Sequence, residues 1–179
     1  MGTLRSDDTP GLECSIFTFK EGMLSRVGHD LRLRAGRWEV TLGDDGATVS
    51  ARFEAAAVKV AAAIRDGRDA PGLLSSGDVR QIEHALDDEI LEVRRFPTVT
   101  YEAKVTRAGD DRARLDGTLT LKGVRRPLVV EARLAGDAWT ATVTLHQPDF
   151  GITPYRALLG ALKIRPDLRV EVRVPRAIG

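Results

Sequence analysis

At 179 residues the chain is sized for one core, and a domain of this length hides roughly 70% of the surface its unfolded chain exposes, so no disulfide or metal is required to hold it. Hydrophobic residues at 42% and charged residues at 30% exclude a disordered or collagen-like chain. Lys and Arg number 27 against 26 Asp and Glu, and a formal charge of +1 argues against a nucleic-acid partner.

Residues 1–12 read as a flexible N-terminus ahead of a core at 13–174, in one domain spanning 1–179. From there the dominant signal is period-two alternation, which puts every second side chain on one face of a strand. Residues 15–20 and 31–34 are the first such stretches. Trp38, Val40 and Leu42 then alternate with Glu39 and Thr41, and Val49, Ala51 and Phe53 with Ser50, Arg52 and Glu54. Residues 62–77 carry Gly67, Pro71, Gly72 and Gly77 among charges and read as a long loop. Val79, Ile82, Leu86, Ile90 and Val93 break the period: their spacing predicts a helix capped by Asp78, with Gln81 three residues on, that runs to Arg94 and stops before Pro97.

Strands resume with Val99, Tyr101, Ala103 and Val105. Leu115, Gly117, Leu119 and Leu121 follow, then Leu128, Val130, Ala132 and Leu134, with a turn bracketed by Gly123 and Pro127 between them. Trp139, Ala141, Val143 and Leu145 come after a turn at Gly136 and Asp137. A weaker helical turn is read around residues 155–162, and Leu168, Val170, Val172 and Val174 close the pattern before Pro175. Eight or nine short antiparallel strands predict an all-β sandwich or up-and-down barrel with one helix against it. Small residues at the candidate interior, Ala55, Ala56, Ala57, Ala61, Ala62, Ala132 and Ala141, fit a ligand chamber and a filled core equally well.

Chemistry-bearing motifs are sparse. His29, His84 and His146 lack metal-ligand spacing, so no metal site is assigned, and His29-Asp30 lies between strands rather than on the helices of metal phosphohydrolases. No nucleophile elbow or phosphate-cradling glycine loop is present, and no cofactor is expected. Cys14, the single cysteine, reads as a small apolar filler with no disulfide partner. No apolar run reaches the ~18 residues of a membrane helix, no signal-peptide core is seen, and the expected location is the cytoplasm.

Four ordered motifs give the chain a resemblance to the YceI-like, polyisoprenoid-binding family. Phe19, Gly22, Met23, Leu24, Ser25, Val27, Gly28, His29, Asp30 and Leu31 resemble its glycine-leucine-serine-x-x-glycine-histidine segment. Phe96, Pro97, Thr98, Val99, Thr100 and Tyr101 resemble its helix-to-strand junction. Gly117, Leu119, Thr120, Gly123, Val124, Arg126 and Pro127 match its hairpin, and Asp149, Phe150, Gly151 and Ile152 its last signature, followed by Gly160, Ala161, Leu162 and Lys163. The likeness covers residues 13–174 and departs from the family pattern at 56–78.

The resemblance implies an extended, lipocalin-like antiparallel β-barrel of about eight strands whose tunnel holds a long amphiphile: an isoprenoid quinone, another polyisoprenoid or a fatty amide. It also implies a capacity to form homodimers. The function expected on this basis is that of a non-catalytic carrier. His29 and Arg156 are expected at the polar head, with Phe17, Phe19, Leu24, Leu31, Phe150 and Tyr155 as lining. Competing structural roles are a turn built by Gly28, His29 and Asp30, and a sheet corner at 149–152 that needs Gly151 for its backbone conformation. Two alternatives remain beside the carrier: a filled barrel serving as a protein-interaction or stress-response module, and a lipid-modifying enzyme with His29 or His146 as base.

Overall fold

A computed structural model describes residues 2–21, 29–157 and 162–176. The alternating stretches form β1 (Gly2–Arg5), β2 (Glu13–Thr18), β3 (Lys20–Glu21), β4 (Asp30–Ala35), β5 (Trp38–Leu42), β6 (Thr48–Glu54), β7 (Val58–Arg65) and β8 (Arg68–Asp69). Helix α1 (Ser76–Ala85) follows, then β9 (Thr98–Arg107), β10 (Arg112–Leu121), β11 (Val124–Ala135), β12 (Ala138–His146), β13 (Arg156–Ala157), β14 (Leu162–Ile164) and β15 (Asp167–Pro175). One antiparallel sheet takes twelve of them in the order β1-β5-β6-β9-β10-β11-β12-β15-β2-β4-β7-β8, and β13, β14 and β3 form a second, smaller sheet.

A continuous ribbon joins the two ends of the large sheet. β4 runs on into β5 across Gly36 and Arg37, and β6 runs on into β7 across a tight turn at Ala55–Ala57. The Gly36 N–H donates to Ala57 O at 2.8 Å and the Glu54 N–H to Arg37 O at 3.0 Å, so the pairing is carried around the corner. Because β4 with β7 and β5 with β6 lie toward opposite ends of the strand order, this ribbon curls the sheet into a barrel. With each run counted as one strand and the short β1 and β8 set apart, eight long strands remain among the described residues.

Several local expectations are corrected. Residues 2–5 are not a loose arm, because β1 pairs with β5 from Gly2 with Leu42 to Arg5 with Glu39. Nor are residues 62–77 one loop: β7 continues to Arg65, and the two-residue Asp66-Gly67 turn returns it as β8. The β10–β11 turn is Lys122-Gly123, since Leu121 pairs with Val124; Pro127 lies within β11 opposite Thr118, where β11 has no ladder to β12 to disrupt. The helix begins three residues earlier than expected. Ser75 is its cap, accepting the Asp78 N–H at 3.1 Å, and Asp78 returns the bond by accepting the Ser75 N–H at 2.8 Å. At its end α1 widens into a π-helical turn, Leu86–Ile90. Of the helical turn read at 155–162, the described residues are extended, in β13 and β14.

The interior holds two apolar clusters. Leu12, Cys14, Ala35 and Trp38 form one, where the Trp38 and Phe53 rings stack at 4.9 Å. Leu119, Phe150 and Ile152 form the other, with Ile90 and Leu145 packed against it. Cys14 is a buried filler, and burial pushes its thiol up to about 12. Trp38, Phe150 and Ile152 in these clusters are each 4% exposed.

Candidate functional site

A cavity of 440 Å³ lies between α1 and the inner face of the sheet. Its floor follows from strand periodicity. Leu31 and Leu33 alternate inward along β4, and Thr18 ends the inward row Cys14, Ile16 and Thr18 on β2. Its roof is helical: Ile82, Ala85 and Leu86 fall three and four residues apart on one side of α1, and the wider π turn adds Ile90. Leu73 and Leu74 contribute from the segment before the cap. Gln147, Tyr155, Lys163 and Ile164 complete the wall, with His29, Asp78 and Gln81.

The helix covers this space without a core of its own, since none of its residues is buried. Polar contacts tie it to β7: the Val60 N–H donates to Glu83 Oε1 at 3.1 Å, and Lys59 Nζ stands 3.1 Å from Asp87 Oδ2. The apolar face of α1 therefore borders a hole instead of packed side chains. Polar groups punctuate the lining. Gln147 is buried, and its Nε2 donates to Arg165 O at 2.9 Å. The Thr18 hydroxyl is buried and has no hydrogen-bond partner among the described residues, a state that ordinarily costs about 1–3 kcal/mol. The Ser75 hydroxyl and N–H hold the Asp78 carboxyl below its ordinary value.

The residues expected from sequence divide between this cavity and other places. His29, Leu31 and Tyr155 line it together. His29 also borders a neighbouring polar recess of 320 Å³ with Lys20, Asp30 and Arg65, and Asp30 Oδ1 accepts the Lys20 N–H at 2.8 Å. Phe17, expected as lining, is on the opposite face of β2 from Thr18. Arg169 stands over its ring at 4.5 Å and over that of Phe19 at 5.6 Å, outside the barrel. The cause is period two: β2 turns Cys14, Ile16 and Thr18 inward and Phe17 outward. Phe150 belongs to the second core cluster, and Gly151, at φ 68°, ends its tight turn in the left-handed conformation. Arg156 is exposed on β13, and Leu24 lies outside the described residues. Thr18, Leu33, Leu73, Leu74, Gln147 and Lys163 line the cavity in addition to the residues expected from sequence. Of these, Leu33 was legible as the inward partner of Leu31.

The other histidines sit away from the cavity. His146 Nδ1 is 2.6 Å from Asp167 Oδ1 at an exposed β12–β15 position, and His84 pairs with Asp88 on the exposed side of the helix. No helix among the described residues is long and apolar enough to cross a membrane.

A YceI-like domain model matches residues 14–175 of the chain. Over 80 residues the chain is 35% identical to a UPF0312 protein of Pseudomonas aeruginosa (strain LESB58), a stretch covering 39% of this chain and 42% of that one. It is 35% identical over 60 residues to Protein YceI of Salmonella arizonae, covering 32% and 31%. The chain thus matches less than half the length of these curated relatives. By shape it is similar to Burkholderia cenocepacia BcnA, with a TM-score of 0.60 at 10% identity over 89% of this chain and 94% of that one. It is also similar to a polyisoprenoid binding domain from Saccharophagus degradans, with a TM-score of 0.59 at 12% identity over 89% and 91%. At these identities the likeness is one of fold.

Proposed function

The chain belongs to the YceI-like domain family, and from that premise we propose that it binds an amphiphilic lipid between α1 and the sheet and carries it without chemical change. The observation that carries this reading is the 440 Å³ cavity itself, within the range of small-molecule sites and walled largely by leucine and isoleucine. A hydrocarbon chain leaving water for such a space gains roughly 0.8 kcal/mol per methylene, so a tail supplies affinity with few polar contacts. The buried Thr18 hydroxyl, with Gln147, Tyr155 and His29, offers hydrogen bonds to a head group. The Saccharophagus degradans domain of the same fold is a polyisoprenoid binding domain, which adds prenyl chains to the candidate ligands beside acyl chains and isoprenoid quinones. The cavity beneath α1 favours this reading over a filled interaction module.

Native mass spectrometry of the purified protein, followed by solvent extraction, tests it. A near-stoichiometric species with a prenyl or acyl chain is expected. A protein that is empty, and that takes up no prenyl or acyl compound in titration, would sink the proposal.

A further inference from the structure

Resting on that reading, we infer that the site selects an anionic single-chain amphiphile, with a carboxylate or phosphate head beside Lys163 and its tail along the leucines and isoleucines of the 440 Å³ cavity.

The head group follows from charge. Lys163, on β14, lines the cavity and is half-buried, and it makes no ion pair among the described residues. The segments 22–28 and 158–161 contain no Asp or Glu, so they supply no acidic side chain to it. The acid on the lining is Asp78, which is exposed and spends its carboxylate on the Ser75 N–H and hydroxyl at the helix cap. Glu21 is the register partner of Lys163 across β3 and makes no salt bridge with it, so an ammonium unpaired among the described residues, the buried Thr18 hydroxyl, the Tyr155 phenol and the His29 imidazole border one apolar chamber. That set fits an anionic head that accepts hydrogen bonds, and charge-assisted bonds are the stronger kind.

The test is titration of the full chain with two matched pairs below their micelle concentrations: hexadecanoate against 1-hexadecanol, and farnesyl monophosphate against farnesol. Each anion is expected to bind at least about tenfold tighter than its neutral counterpart, the effect of a charged hydrogen bond. Which anion gains more distinguishes a carboxylate head from a phosphate head. Lys163→Gln should erase the preference and Lys163→Arg should retain it, with the far-ultraviolet circular dichroism of both variants matching the wild type as the report of an intact fold. Neutral and charged heads binding equally, or a preference that survives Lys163→Gln, would overturn the inference while leaving the lipid-binding reading in place. Failure of every chain to bind would overturn both readings.

Discussion

The Tyr101 ring lies across Gly117, so close that a Cβ at position 117 would stand 2.6 Å from the ring Cζ and 2.6 Å from Glu102 O. From there the phenol hydroxyl shares its proton between Leu115 O at 3.1 Å and Leu128 O at 3.0 Å, so one side chain of β9 joins β10 to β11. Gly117→Ala should therefore destabilise by about 1–3 kcal/mol, as overpacking does, and Tyr101→Phe by about 1 kcal/mol, both read from urea denaturation.

Burial also pushes the Tyr101 phenol up to about 12. A phenol harder to ionise in the folded chain than in the unfolded one keeps its full contribution below its ordinary pKa of about 10. That contribution is lost as pH rises through the folded value. Urea stability of the wild type should fall between pH 10 and 12, and the fall should be smaller in Tyr101→Phe.

Ile82 and Phe150 should respond differently to truncation. Phe150 is buried in a packed cluster, and Phe150→Ala should cost about 3–5 kcal/mol. Ile82 faces the cavity from a helix with no buried residue. Ile82→Ala should cost below about 2 kcal/mol, the low end for core truncation, while weakening hexadecanoate binding in the same preparation. Equal losses of stability would mean that α1 packs on a filled core.

The helix cap predicts an acid-sensitive roof. The Asp78 carboxyl is held below its ordinary value by Ser75, so its contribution is present above the ordinary carboxylate pKa and lost as pH falls through the lowered one. Amide protection factors in the first turn of α1, taken against the intrinsic exchange rate at each pH, should fall on acidification below pH 4 in the wild type, and Asp78→Asn should flatten that dependence.

Phe17→Thr should break the stack with Arg169 and leave chain binding unchanged, because the ring is on the outer face. Ala85→Trp places an indole in the cavity and should abolish binding while the far-ultraviolet circular dichroism stays that of the wild type. The reverse pattern would put the ligand on the outer surface.

Much of the barrel was legible because alternation is a local property. Val170, Val172 and Val174 on β15, and Trp38 and Phe53 across β5 and β6, face inward as their spacing requires. Which of two alternating rows faces in is a tertiary fact, and on β2 the row of Cys14, Ile16 and Thr18 faces in while the bulkier Phe17 faces out. The start of α1 carried a local signal, Ser75 three residues before Asp78, that the apolar stripe beginning at Val79 obscured. Lys163 and Gln147 left none: they meet Leu33 and Ile82 only because a three-stranded sheet and a tight turn bring distant segments to one chamber.

The most direct test is a crystal structure of the protein purified without delipidation, or soaked with hexadecanoate. The account predicts continuous chain density between α1 and β4, in contact with Leu31, Leu33, Ile82 and Leu86. A chamber collapsed around its own side chains, or a chain bound on the Phe17 face, would contradict it.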